Sequence, residues 1–265
     1  SAVGIRNTYD IHHGLLKEPR WSMHYQDIIQ KAKPSVCHVY LFVNLKGSPS
    51  ELKLRSSNIW VWTEQDYDAM MDKFYKDPLN APMPFFMGFS SAKDDSWETR
   101  YPGKSNAIIL TMGNYEMFEQ WKDDKCMSRS SDYKELKEKF AQRILEEGLF
   151  RFYPHLRDKV ESYDVGTPLS TKFYLNAARG ESYGIESNSY RYSEAFHLRP
   201  ETNLKNFYLT GQDICTLGFT GALMAGILTA HTMLGYGTLV DLITKRNLID
   251  DFINYDNANK ANKQN

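Results

Sequence analysis

Apolar and polar residues alternate with two different rhythms along this chain, and the change of rhythm outlines its elements. Between Ser35 and Gly113 four short runs, "SVCHVYLFVNL", "NIWVWT", "PFFMGFSS" and "NAIILTMG", are dense in β-branched and aromatic residues and bounded by Gly, Pro, Asn or Ser. They predict strands of one sheet. Between the second and third, "EQDYDAMMDKFY" spaces Tyr67, Met70, Met71 and Phe74 by three and four residues, as a helix covering that sheet would. The helical period returns in "SDYKELKEKFAQRILEEGLFRFYP", where Tyr133, Leu136, Phe140 and Ile144 form one stripe. Asp132 and Glu135 have capping-box spacing, Gly148 and Pro154 supply a stop, and the charged flank from Lys134 to Glu147 reads as a solvated face. "KVESYDVGTP" predicts a further strand and turn, with Thr167 as N-cap and Pro168 as the first residue of the next helix.

The two ends read differently. "SAVGIRNTYDIHHGLL" predicts the end of a strand, a turn at Gly4 to Asn7 and a short helix. It shows no initiating Met, basic n-region or apolar h-region, so no secretory leader is visible and the start reads as the middle of a longer chain. Past Ile249, "DDFINYDNANKANKQN" is Asn/Lys-rich and is expected to be disordered.

The segment "NFYLTGQDICTLGFTGALMAGILTAHTML" holds the candidate chemistry. "NFYLTG" reads as a short buried strand and "GFTGALMAGILTAHTML" as a helix, so the unit is strand, glycine-rich turn, helix N-terminus. Such a turn offers free backbone N–H groups and the positive end of a helix dipole to an electron-rich ligand. Gly211, Gly218 and Gly221 let that ligand approach the backbone closely. Asp213 suits hydrogen bonds to ribose-like or ribityl hydroxyls. A membrane span is the alternative, because Thr216 to Val240 holds no formally charged residue over more than the roughly 20 residues a bilayer requires. Its many Gly and Thr residues favour a buried soluble helix, with Ala222, Gly226 and Ala230 pressed against a neighbour and His231 at the core or its rim.

Composition narrows the partners. Of 265 residues, 42% are hydrophobic and 25% charged, the balance of a folded globular chain. With 32 Lys plus Arg against 33 Asp plus Glu, no global field draws it to nucleic acid. Cys37, Cys126 and Cys215 lack metal-ligand spacing, so neither a zinc site nor a disulfide framework is expected.

Ordered segments along nearly the whole chain carry a resemblance. "SAVGIRNTY", "SAKDDSWETRYPGKS", "YEMFEQW", "SDYKELK", "KVESYDVGTPL", "GTPLSTKFYLNAARGESYG" and "NFYLTGQDICTLGFTGALMAGILTA" together resemble the C-terminal part of the retinol saturase family. These flavoproteins are related to phytoene desaturases and carotenoid isomerases. The resemblance implies an α/β fold in which the C-terminal part of a Rossmann-like FAD-binding domain carries an inserted α+β substrate domain with a mixed or antiparallel sheet. The expected boundaries are 1–20 for the end of the first part of the FAD domain, 21–165 for the substrate domain, 166–248 for the C-terminal part of the FAD domain and 249–265 for the tail.

It further implies that Asp213 binds the FAD ribityl chain with Gly211 and Gln212 beside it. Gly218, Phe219, Thr220 and Gly221 then lie against the isoalloxazine, where a helix N-terminus stabilises reduced flavin. Arg179, Gly180, Tyr183 and Gly184 belong to the substrate side of the flavin. Where the family often has an acid-His pair, this sequence has Glu186-Ser187, which leaves Tyr183 as the candidate proton donor or substrate-positioning group. Trp60, Trp62, Phe85, Phe86 and Phe89 either line an apolar tunnel or pack in the core.

The chain lacks a Gly-x-Gly-x-x-Gly unit for the FAD adenosine diphosphate, so the reading is a C-terminal fragment missing the N-terminal half of its own FAD domain. Alone, such a fragment is expected to bind FAD poorly. The implied reaction reduces a C=C bond of a polyene, a retinoid or a carotenoid, with NAD(P)H as a possible electron donor and with contact to the membrane of the endoplasmic reticulum. A carotenoid desaturase or isomerase, or a non-catalytic membrane-associated binding module, are the alternatives.

Overall fold

The structure is a computed structural model and describes residues 1–11, 25–193 and 198–235, with Val240 and Thr244. The predicted tail and part of the polar loop before "NFYLTG" therefore lie outside the described residues. Two compact units emerge: Ser1–Lys33 with Tyr183–Asn265, and Pro34–Ser182. The second is thus inserted, in sequence, into the first.

Strand alternation decides where the core of the inserted unit lies. In β1 (His38–Lys46), Val39, Leu41, Val43 and Leu45 are buried while Phe42, Asn44 and Lys46 are exposed. β4 (Lys104–Met112) buries Ser105, Ala107, Ile109 and Thr111, and its register sets Leu41 opposite Ile109 and Val43 opposite Ala107. With β2 (Ile59–Val61), β3 (Phe85–Gly88) and β5 (Val160–Gly166) they form one five-stranded sheet of order β2-β3-β4-β1-β5, antiparallel throughout. The chain's entry and exit close on each other as well, through a bridge between Cys37 and Glu181 and a bond from Ser182 N–H to Val36 carbonyl at 3.0 Å. All the runs read as strands in this unit are strands, and the α/β class holds.

Helices cover the apolar face. Asp66 caps α3 (Tyr67–Lys76) by accepting from Ala69 N–H at 3.0 Å, and Phe74 is buried in the sheet's core. After the one-turn α4 (Trp97–Arg100), the long predicted helix is also present, as α5 (Ser131–Arg143), a π-helical turn (Ile144–Leu149) and α6 (Phe150–Phe152) in unbroken succession. Two details differ. The N-cap is Ser130, which leaves Asp132 inside the first turn and forms no Asp132–Glu135 capping box. Gly148 does not stop the helix: it is buried within the π-helical turn, where a Cβ would make an ordinary 3.5 Å contact with the Phe85 ring. After β5, Thr167 precedes α7 (Pro168–Leu175), with Ser170 Oγ accepting from Thr167 N–H at 3.1 Å, and Asn176 at φ +54° ends it.

The first unit has a smaller core of Ile5, Ile28, Ala32, Ile185, Leu198 and Leu209. Helix α1 (Ile5–Ile11) starts directly after Gly4, with no strand before it, while α2 (Tyr25–Lys31) brings Ile28 inward. "NFYLTG" forms no strand either: Tyr208 makes a single bridge to Glu201, and Thr210 N–H donates to Ser1 carbonyl at 2.8 Å. A one-turn helix, α8 (Ser189–Ser193), occupies what reads as loop.

Helix α9 (Gly218–Leu234) has the predicted bounds. Its burial does not follow the prediction, because only Gly221 and Ala225 are buried and Gly226 is exposed with open space where a Cβ would stand. The small-residue face therefore runs through Gly221, Ala225 and Thr229, whose hydroxyl donates to Leu209 carbonyl at 3.0 Å, instead of through Ala222, Gly226 and Ala230. Among the described residues no helix is long and apolar enough to cross a membrane.

Candidate functional site

The turn after "NFYLTG" is built around one buried carboxylate. Asp213, 6% exposed, accepts from Ile5 N–H at 2.9 Å through Oδ2 and from Ile185 N–H at 3.0 Å through Oδ1. It thus ties α1 and the Tyr183–Ile185 segment to the turn. Two glycines make room: a Cβ on Gly184 would lie 2.0 Å from Oδ1, and one on Gly4 would lie 3.2 Å from Oδ2. Gly4, Gly184 and Gly211 all hold positive φ, at +85°, +66° and +98°, where glycine is the natural occupant. The spacing of these glycines carries no pattern that a single sequence could show. Each carboxylate oxygen keeps a second lone pair.

Gln212 carries the turn into α9. Its Oε1 accepts from Gly218 N–H at 3.1 Å and so satisfies one of the donors a helix start leaves without an intrahelical partner. Gly218 sits at φ +77°, and a Cβ on it would meet the Tyr183 ring at 3.8 Å. Gly221 is set by packing, since a Cβ there would stand 1.6 Å from Thr216 carbonyl. Phe219 projects outward, 84% exposed, and Thr220 is exposed beside it. Of the residues singled out from the sequence, the structure gathers Tyr183, Gly184, Gly211, Gln212, Asp213, Gly218 and Gly221 around this turn.

Two further residues hold the turn, and the sequence reading missed both. Arg191, 4% exposed, donates to Ile185 carbonyl at 2.8 Å and to Gln212 carbonyl at 2.5 Å. Tyr192 OH bonds Ser187 Oγ and Thr216 Oγ1, each at 2.9 Å, and these hydroxyls draw its pKa below the ordinary phenol value. They lie in "SYRYS", a polar stretch with no period, and only the three-dimensional convergence of free carbonyls marks an arginine as a clamp.

Arg179 and Gly180 belong to the inserted unit. Arg179 pairs with Glu116 at 2.5 Å and lies over the Tyr115 ring at 4.5 Å, while a Cβ on Gly180 would stand 2.2 Å from Pro168 carbonyl. Both have local structural partners there. The aromatics expected around a tunnel are divided otherwise: Phe85 and Phe89 are buried in the core, Trp60 and Trp62 are exposed, and Phe86 packs against Trp60 at 4.8 Å between ring centres.

The inserted unit does hold a cavity, of about 560 Å³, at the β5 edge of the sheet. Tyr40 and Phe42 of β1 form one wall, Tyr174 and Leu175 of α7 another, and Met127 and Cys126 lie before α5. Ser182 Oγ is within 2.7 Å of both His38 Nδ1 and Tyr40 OH. Burial of the His38 ring lowers its pKa to about 4, so it is neutral near pH 7.

Fold and geometry define the class first: a two-unit α/β chain in which one unit presents a carboxylate-held turn and helix N-terminus, and the other a ligand-sized cavity. No protein-family model matches it. Similar curated proteins include the all-trans-retinol 13,14-reductases of Danio rerio, 37% identical over 249 residues, and of Homo sapiens, 34% identical over 271 residues. An inactive all-trans-retinol 13,14-reductase of Danio rerio is 31% identical over 231 residues. The three alignments take in 88%, 100% and 83% of this chain and 39%, 42% and 37% of those proteins. Over nearly its whole length the chain is thus similar to all-trans-retinol 13,14-reductases, and it spans about two fifths of the length of the curated relatives it matches.

Proposed function

We propose that this chain is the C-terminal part of an FAD-dependent oxidoreductase that reduces one C=C bond of a retinoid, all-trans-retinol to 13,14-dihydroretinol, at the endoplasmic reticulum membrane with NAD(P)H as electron source. The observation that carries the reading is the match, over 88–100% of this chain, to four relatives named for that reaction at 33–37% identity.

The turn fits a flavin on its own chemistry. Gly218 leaves the start of α9 without a side chain, and the dipole of a 17-residue helix favours negative charge at that end. Gln212 takes the Gly218 N–H, so the next first-turn donors, of Phe219 and Thr220, are the ones for a ligand. Asp213 sets the height of the turn and offers its remaining lone pairs to ligand hydroxyls. When bound, FAD supplies the hydride chemistry that no side chain here has. Tyr183, beside Gly218, holds a phenolic proton for the carbon next to the one that would take the hydride. Glu186 and Ser187 are occupied locally, by Asn188 at 2.8 Å and Tyr192 at 2.9 Å.

The test uses purified full-length protein. The proposal expects a yellow preparation that converts all-trans-retinol to the 13,14-dihydro product on reduction, with Tyr183→Phe lowering kcat about 10²-fold or more at unchanged flavin content. A colourless folded protein would defeat it. Bound flavin without turnover would instead place the chain with its relative named as inactive.

A further inference from the structure

The cavity at the β5 edge has no role in that reading, and its chemistry is specific. At about 560 Å³ it lies within the range of small-molecule pockets, roughly 300–1,000 Å³. Its Tyr40 and Phe42 rings lie nearly parallel, 6.2 Å apart at 12°, and form a continuous aromatic wall. Gly166 keeps that wall bare, because a Cβ there would touch both rings at 3.5 Å. Across the space, Tyr174 and Leu175 expose 68% and 70% of their surface at the end of a short helix. Large apolar side chains left in water around a concave space mark a place where an apolar body is covered.

The cavity lining holds four charged residues, of which Lys137 pairs with Asp164 at 3.5 Å and Arg129 donates to Trp121 carbonyl at 3.4 Å and lies over the Tyr133 ring, with Lys134 as the fourth; the polar groups bonded together at Ser182 are neutral. Ser182 Oγ bonds His38 Nδ1 and Tyr40 OH, each at 2.7 Å. A serine hydroxyl has one donor and two acceptor positions, so two bonds leave one position over. Whether that position donates or accepts depends on the His38 tautomer and on the direction of the Tyr40 hydroxyl, and both cases are open to the neutral ring. An alcohol, itself donor and acceptor, satisfies either case; a carboxylate satisfies only one, and a hydrocarbon neither.

We propose that this cavity of the inserted unit binds a slender isoprenoid alcohol, its hydroxyl on Ser182 Oγ and its chain along the Tyr40–Phe42 wall towards Tyr174 and Leu175. The assignment rests on the retinoid reading above and adds to it where the polar end of the substrate is held. Cys126, which also lines the cavity, reports occupancy without turnover.

The experiment measures alkylation of Cys126 by N-ethylmaleimide, by peptide mass, in the full-length protein. All-trans-retinol and geranylgeraniol should each slow it about tenfold at saturation, with Cys215 unaffected. Leu175→Trp, which fills the space from an exposed position, should abolish protection. Ser182→Ala should raise the KM for retinol about tenfold, the weight of one lost hydrogen bond, with kcat largely kept. Unchanged Cys126 reactivity in a protein that still reduces retinol would overturn the cavity assignment and leave the retinoid reading standing. Protection by geranylgeraniol in a protein that does not turn over retinol would support the cavity and defeat that reading. Stronger protection by retinoic acid than by either alcohol, pointing to Lys134 at the rim, would overturn the choice of an alcohol.

Discussion

Asp213 holds its turn through two single hydrogen bonds. Its two oxygens complete the backbone N–H groups of Ile5 and Ile185, which have little access to solvent. Asp213→Ala removes both acceptors at once, and a buried unsatisfied donor costs about 1–3 kcal/mol. The loss expected in urea unfolding is therefore about 3 kcal/mol, with Asp213→Asn losing about half because its amide oxygen replaces one acceptor. Equal stability of wild type and the alanine variant would show that the turn holds itself without the carboxylate. His38 gives a second test with a defined sign. Its pKa is about 4 in the folded chain and about 6.5 when exposed, so below pH 6.5 the unfolded chain takes up a proton that the folded chain does not. Stability from this group is present above pH 6.5 and is lost as pH falls towards 4. Between pH 7.5 and 5 the loss should be about 2 kcal/mol, read as a shift of the urea midpoint, and His38→Gln should remove that slope. Persistence of the slope in the variant would assign it to other groups.

Among the elements, α9 separates glycines that packing demands from glycines that it does not. Gly221 lies against Thr216 carbonyl, where even one methyl group would overlap the backbone at 1.6 Å. Gly221→Ala should shift the turn and cost about 3 kcal/mol or more. Gly226 faces open space, so Gly226→Ala in this chain should raise stability by about 1 kcal/mol through helix propensity alone. Thermal unfolding of the two variants checks both signs. The helix was legible because its apolar residues continue without a charge from Gly218 to Leu234. Its packed face was not, because small residues spaced by four occur on more than one face, and the Thr216 carbonyl and Leu209 carbonyl decide which one is covered. Similarly, Gly148 reads as a stop until the Phe85 ring is seen beneath it.

Among the described residues, α9 carries a row of exposed apolar side chains. Phe219, Leu223, Met224 and Leu228 are all exposed, at 84%, 55%, 40% and 40%. Soluble monomers rarely leave such a row in water. Expressed as these 265 residues, the chain should bind the dye ANS strongly and elute as more than a monomer, and Phe219→Glu with Leu223→Glu should reduce both effects. A monomer that does not bind the dye would show that the row is covered from within the chain.

The sequence by itself determined the elements with strong periods: the five strands of the inserted unit, α3, the long helix from Ser131 and the limits of α9. In these, alternation by two or by three to four already states which side chains must leave water, and the backbone follows. It also carried the family resemblance, since ordered matches need no fold. Tertiary structure alone decided the rest. It turned "NFYLTG" into an extended segment with a single bridge, because the partners for a ladder are not beside it among the described residues. It made Arg191 the clamp of the turn and joined His38 and Tyr40 to Ser182 across 144 and 142 residues of sequence. Hydrogen bonds of that kind join groups with no fixed spacing along the chain, so no periodicity announces them. For the segment that holds Gly211, Gln212 and Asp213, the residues alone predicted a glycine-rich turn, and the fold supplied the reason it keeps its shape: a carboxylate shared by two backbone amides drawn from remote parts of the chain.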